Sequence, residues 1–259
     1  MSTLKIKNVT IGEGISKIIV PLVGSTAEQL MNEAQLVKEM KPDVIEWRVD
    51  IYEKVDDVSA VIEMIVKLRD FFAEELLLFT FRTHKEGGKK EISEEFYVEL
   101  LQAAIRTTHI DLVDVELFTG EKYVQSVLRT AKENGVFVVM SNHDFFQTPP
   151  KEEIVNRLRK MQELGADIPK IAVMPHSVTD VITLLDATNT MKEQYADRPI
   201  ITMSMGCLGV ISRLAGEVFG SAFTFGAGKE ASAPGQIPVA ELRTVLEIVH
   251  KSSINAKDN

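Results

Sequence analysis

Phe137-Val138-Val139-Met140-Ser141-Asn142-His143-Asp144, a helical stretch over residues 151–164, and Ile168-Pro169-Lys170-Ile171-Ala172-Val173-Met174-Pro175 make one unit, and its reading decides the fold. Each flank is a short apolar run and the middle has helical periodicity, the pattern of strand, crossover helix and parallel strand. Strands of parallel sheets are covered on both faces and so read as nearly continuous apolar runs. Lys170 breaks its run. An ammonium loses hydration in such a place, so a lysine kept there is a candidate for chemistry. Low dielectric and nearby cations lower its pKa and leave a neutral amine that can attack a carbonyl carbon. The competing reading is a side chain that snorkels from the strand end to bulk water. His143 ends the preceding strand and is the natural proton carrier near neutral pH. A nucleophilic amine beside a proton shuttle is the core of a Schiff-base enzyme.

The same unit repeats on either side. Strands are predicted at 18–23, 44–49, 76–82, 112–117, 137–142, 168–174, 200–205 and 222–225. Helices are predicted at 26–39, 58–72, 94–107, 122–134, 151–164, 178–195 and 239–251, with a shorter piece near 210–218. Eight β-α repeats in 259 residues predict an α/β fold, one (β/α)8 TIM barrel over residues 1–259. An open doubly wound sheet is the alternative, but no strand opens onto a Gly-rich dinucleotide loop. Ser25 with Glu28 reads as a capping box, Thr148 and Pro149 as N-cap and first helical residue, and Gly135 as a helix terminator. Residues 1–16, with Gly12 and Gly14, predict a β-hairpin that closes the bottom of the barrel.

Composition narrows the class. A hydrophobic content of 45% with 26% charged residues describes an ordinary globular protein. The net charge of −9 argues against nucleic acid and anionic membranes as partners. The single Cys207 excludes an internal disulfide and fits a reducing compartment. The first residues hold no apolar signal core and no apolar run reaches membrane-spanning length, so a cytoplasmic protein is expected.

Active sites of such barrels lie at the C-terminal ends of the strands, and alternate residues of a strand share a face. Ile45, Trp47 and Val49 suit the helix layer, which turns Glu46 and Arg48 into the barrel. Arg82 sits at the end of its strand, Asp114 and Glu116 share a face, and Met203 and Met205 supply an apolar wall. The interior is therefore expected to hold Glu46, Arg48, Arg82, Asp114, Glu116 and Lys170, with His143 at the rim. A purely structural ion-pair network is an alternative, although buried pairs are rarely net stabilising. A divalent metal on Glu46, Asp114, Glu116 and His143 is another, opposed by the cations already present. Asp114 and Glu116 stay open between site and scaffold.

These residues fall into an ordered set that resembles the type I 3-dehydroquinate dehydratase family over nearly the whole chain. The set runs through Glu46-Trp47-Arg48-Val49-Asp50, Phe81-Arg82 with Glu86-Gly87-Gly88, Ser141-Asn142-His143-Asp144, Lys170-Ile171-Ala172, Met203-Ser204-Met205-Gly206, the segment from Ser212 to Ser221, and Ser232-Ala233-Pro234-Gly235-Gln236. The resemblance implies syn dehydration of 3-dehydroquinate to 3-dehydroshikimate through a lysine Schiff base, in the shikimate pathway, with no cofactor and no metal. It implies Lys170 as nucleophile, His143 as acid and base, and Glu86 as the partner of the histidine. Glu46, Arg48 and Arg82 would hold the ring hydroxyls and imine region, and Arg213, Ser232 and Gln236 the carboxylate. Met203, Met205 and Phe225 complete the implied substrate contacts, and the family suggests a homodimer. Where some members carry a serine that touches substrate, this chain has Pro21. His84 and His176 read as surface loop residues. The glycines and small residues of 226–236 predict a lid over the barrel mouth. A phosphosugar aldolase and a non-catalytic metabolite-binding barrel are the rivals.

Overall fold

A computed structural model describes residues 3–228 and 235–255. Strands β1 (Leu4–Ile6) and β2 (Val9–Ile11) pair antiparallel, with Leu4 opposite Ile11. Eight parallel strands follow: β3 (Lys17–Leu22), β4 (Val44–Arg48), β5 (Leu76–Thr80), β6 (Leu112–Glu116), β7 (Phe137–Asp144), β8 (Ile168–Val173), β9 (Ile201–Ser204) and β10 (Phe223–Ala227). Strands β3 to β9 pair in sequence order and β10 pairs back onto β3. The seam between β9 and β10 closes through a bridge of Ile200 with Ser221 and an Ala222 N–H donated to the Ile200 carbonyl at 2.8 Å. The (β/α)8 barrel is as expected. A two-residue strand β11 (Ile237–Pro238), which the sequence pattern does not signal, adds to the end of β10.

The helices are α1 (Ala27–Glu39), α2 (Val58–Phe71), α3 (Glu94–Arg106), α4 (Glu121–Asn134), α5 (Lys151–Leu164), α6 (Val178–Thr190), α7 (Val210–Leu214), α8 (Gly216–Phe219) and α9 (Val239–Asn255). Gly135 ends α4 in the left-handed conformation, as expected of a terminator. Two predicted starts are displaced. The cap of α1 is Thr26, which accepts from the Gln29 N–H, while Gln29 Oε1 takes the N–H and hydroxyl of Ser25; Glu28 is not the reciprocal partner. The α5 helix begins after Pro150, and Thr148 instead donates its hydroxyl to the Met174 carbonyl at 3.0 Å. The 178–195 stretch divides into α6 and a wider π-helical turn, Met191–Tyr195, and the 210–218 piece divides into α7 and α8.

Apolar packing occurs in two shells. Ile45, Trp47, Val49, Phe79, Val113, Met140 and Ile171 belong to the shell between strands and helices. Inside the barrel, Ile19, Val44, Leu76, Leu112, Val139, Ile168, Ile201 and Phe223 form an apolar floor, and Ile6 and Ile11 of the hairpin pack against it. The hairpin thus stops the bottom of the barrel, as predicted. Side chains two residues further along these strands rise toward the open end.

Candidate active site

Three layers of alternating side chains carry the floor into the site. Above Val44, Leu78, Leu112, Val139 and Ile168 come Glu46, Thr80, Asp114, Ser141 and Lys170. Above those come Arg48, Arg82, Glu116, His143 and Ala172. Lys170 is third in β8, opposite Ser141 on one side and Ile201 on the other. Its amine reaches upward to lie 4.7 Å from the centre of the Phe225 ring and 3.6 Å from Asp114 Oδ2. The side chain is buried, so it does not snorkel to bulk water. Burial lowers the Lys170 pKa; Asp114 and Glu46 oppose this, and Arg82 and Arg48 add to it.

His143 stands one strand away with Nδ1 2.9 Å from Glu86 Oε2. The same oxygen accepts the His143 backbone N–H at 2.9 Å, and Glu86 Oε1 accepts from Asn142 Nδ2 at 3.1 Å. Glu86 is therefore a buried residue of the site and no solvated loop carboxylate. The loop that delivers it needs its glycines: Gly87 has φ 86°, and a Cβ on Gly88 would overlap the Arg82 carbonyl. Burial, then Glu116, pushes Glu86 up to about 8, against the pull of Arg82 and Asn142. Burial, then Arg82, Lys170 and Arg48, hold His143 well below the usual imidazole range.

Arg82 is the hub between these groups. Its Nη2 lies 2.9 Å from Asp114 Oδ1, and its Nη1 lies 2.9 Å from Glu116 Oε1 and 3.6 Å from Glu86 Oε2. Nη1 also donates to Ser141 Oγ at 2.9 Å. Desolvation acts against its charge, yet the three carboxylates hold its pKa well above the ordinary value. Arg82 thus already pairs with Asp114 and Glu116, two of the four ligands on which the metal reading rests. Glu116 also takes the N–H and hydroxyl of Thr83, at 2.9 and 2.6 Å, which gives it the partners of a scaffold residue. Arg48 is gripped from behind by Asp50, Nε to Oδ1 at 2.8 Å and Nη2 to Oδ2 at 2.9 Å.

A cavity of about 260 Å³ opens over this assembly and is lined by Glu46, Arg48, Arg82, Glu86, His143, Lys170, Met203, Met205, Arg213, Phe225 and Gln236. Every predicted site residue but one thus lies on a single cavity. Ser232 is the exception; with most of the predicted lid it falls outside the described residues. Arg213 is buried beside Met203, and desolvation brings its guanidinium down to about 10. Pro21 stands level with Glu46 across the β3–β4 register, and His84 and His176 are exposed. Asp50, Ser141, Asn142 and Phe145 join the site without a signal in the sequence pattern, Phe145 with its ring stacked 6.5 Å from that of His143. A larger hollow of about 670 Å³, at the start of β7 between Gln125, Lys132 and Asp167, brings no such groups together.

Amine, imidazole and guanidinium groups gathered toward the open end of a closed parallel barrel define a class, the barrel enzymes with a lysine inside the lumen. Known proteins narrow that class. The family described as type I 3-dehydroquinase matches residues 18–253. The 3-dehydroquinate dehydratase of Bacillus velezensis is 64% identical over 97% of this chain and 99% of its own length. That of Bacillus subtilis is 62% identical over 98% and 99%. A crystal structure of the type I 3-dehydroquinate dehydratase of Clostridium difficile, with covalently modified comenic acid, superposes with a TM-score of 0.94 at 52% identity, covering 96% of this chain and 98% of that one. The chain belongs to the type I 3-dehydroquinase family.

Proposed function

We propose that this chain dehydrates 3-dehydroquinate to 3-dehydroshikimate through a Schiff base on Lys170. The observation that carries the reading is the Lys170 amine held inside the lumen, on the same cavity as His143. Condensation with the C3 ketone makes an iminium that acidifies the C2 proton. His143 removes that proton through Nε2, since Nδ1 is committed to Glu86. The enamine expels the C1 hydroxyl, which leaves as water with the proton that His143 returns. Hydrolysis of the product imine frees the lysine.

Glu86 governs how much His143 can act as a base. Ionised Glu86 accepts from Nδ1–H and leaves Nε2 bare, whereas neutral Glu86 donates to Nδ1 and leaves the ring proton on Nε2. The proton-abstracting form therefore grows as pH rises toward about 8, the value to which Glu86 is pushed. Arg213 and Gln236 on the cavity wall suit the substrate carboxylate, for which a guanidinium fork is a good match. Ser232 joins them in this reading, Glu46, Arg48 and Arg82 hold the ring hydroxyls and imine region, and Met203, Met205 and Phe225 supply apolar contacts. Family membership supports a place in the shikimate pathway and action as a single-domain cytoplasmic homodimer, the last checked by sedimentation. The product is a conjugated enone, so ultraviolet absorbance should grow when 3-dehydroquinate is added, at a rate that a strong chelator leaves unchanged. No absorbance change at saturating substrate would refute the assignment.

A further inference from the structure

Asp114 is fully buried, and its two oxygens have different surroundings. Oδ1 takes Ser141 Oγ at 2.7 Å and Arg82 Nη2 at 2.9 Å. Oδ2 has no hydrogen-bond partner among the described residues and faces Lys170 Nζ at 3.6 Å. A carboxylate oxygen sealed from water is costly unless a cation faces it. Glu46 and Arg48 face Lys170 from β4, Arg82 from just past the end of β5, Asp114 from β6, His143 from β7, Met203 from β9 and Phe225 from β10, with Glu86 and Arg213 on the same cavity wall. Glu46 already accepts the Thr80 hydroxyl at 2.9 Å. Among the described residues, Asp114 Oδ2 is the one carboxylate oxygen within 4.0 Å of the amine.

We propose that Asp114 is a positioning residue for Lys170: Oδ2 anchors the amine under the cavity and is the standing counterion of its positive charge before and after condensation. This rests on Lys170 as the Schiff-base nucleophile. In the overall step an ammonium and a ketone become an iminium and water. A C=N double bond forms, both bonds of the carbonyl C=O break, two N–H hydrogens leave with the oxygen as water, and the charge on nitrogen stays at plus one. A fixed anion therefore stabilises resting ammonium and covalent iminium alike, and disfavours the neutral amine between them and the neutral enamine that follows. It holds the charged adduct in place until His143 takes the C2 proton. Arg82 and Ser141 hold the other oxygen, so the carboxylate cannot turn away.

The test reads Lys170 without substrate. Trace acetylation with acetic anhydride across a pH series, followed by peptide mass mapping, gives the midpoint at which the Lys170 amine becomes reactive. In a folded Asp114→Asn variant that midpoint should fall by about one pH unit or more, equal to a tenfold or larger change in the protonation equilibrium. Turnover of 3-dehydroquinate should fall with it, although imine forms from a lower pH. Asp114→Glu, which keeps the charge, should keep the midpoint near the wild-type value. An unmoved midpoint in Asp114→Asn, or an equal fall in Asp114→Glu, would overturn the proposal. Should Asp114→Asn not fold by circular dichroism, Ser141→Ala carries the test. It strips one donor from Asp114, strengthens it as a counterion and should raise the midpoint; a midpoint that stays or falls would overturn the proposal. The labelling midpoint is independent of the dehydratase reading, which fails on its own if dehydroquinate never becomes attached to Lys170.

Discussion

The lower and upper halves of the barrel lumen are built by the same strands and differ in chemistry: the floor is apolar throughout, while the upper half sets charged groups beside an apolar wall of Ala172, Met203, Met205 and Phe225. On β4 the inward side chains run Val44, Glu46, Arg48; on β6, Leu112, Asp114, Glu116; on β8, Ile168, Lys170, Ala172. Two residues, a rise of about 6.6 Å, separate a greasy layer from a charged one. The lower layer is stoppered by Ile6 and Ile11 and contributes stability by excluding water. The upper layer takes on the cost of burying charge, and Arg82 offsets it by answering three carboxylates at once. The difference teaches that the floor is made to hold the barrel and the ceiling to hold a reaction. Neither half does the other's work.

Substitutions break that comparison in graded ways, and the largest effects belong to the upper half. His143→Ala should lower dehydration by about 100- to 10,000-fold, the usual contribution of a positioned acid-base group. It should still form the imine, so substrate adducts should persist long enough for mass spectrometry without a reductant. Near-normal turnover would remove His143 from the mechanism. Arg82→Leu should destabilise the fold by about 3–5 kcal/mol in urea titration, because Asp114, Glu116 and Glu86 would face one another without a countercharge. A loss below about 1 kcal/mol would show that the network carries little, as exposed ion pairs do.

Leu112→Ala sharpens the comparison from below. The cavity it opens in the floor should cost about 2–5 kcal/mol of stability while leaving kcat of the folded fraction unchanged. A matching fall in kcat would mean that the halves are coupled. The smallest effect is one of shape. Wild-type kcat/KM should rise as pH increases toward about 8, since Glu86 of the free protein is pushed up and its ionised form bares Nε2 of His143. Glu86→Gln should flatten that limb; a limb unchanged in the variant would assign it to another group.

Much of this was legible in the chain because period and parity are strict. Alternation alone turns Glu46, Arg48, Asp114 and Lys170 inward and Trp47 outward, and the structure places them so; Arg82, expected at the end of its strand, lies two residues past β5 and still faces the cavity. Elsewhere parity stops where a strand stops. Beyond Arg48 the chain turns into a 3-10 segment, Val49–Ile51, that folds the Asp50 carboxylate back onto the Arg48 fork. Strand alternation contains no such contact. Glu86 also lies past its strand, and only the resemblance singled it out. Ser141 and Asn142 directly precede His143, yet a hydroxyl and an amide signal nothing until their partners, Asp114 and Glu86, are in view. The cap of α1 slipped by one because Ser25 and Thr26 can both accept from a helix start, and Gln29 rather than Glu28 decides between them.

The central claim is that the amine of Lys170 becomes covalently bonded to substrate, and reductive trapping tests it most directly. Borohydride added with 3-dehydroquinate should inactivate the protein and add one ligand mass to the peptide that contains Lys170. Lys170→Ala should show neither the added mass nor measurable turnover. Trapped mass on another lysine, or full activity in Lys170→Ala, would contradict the account.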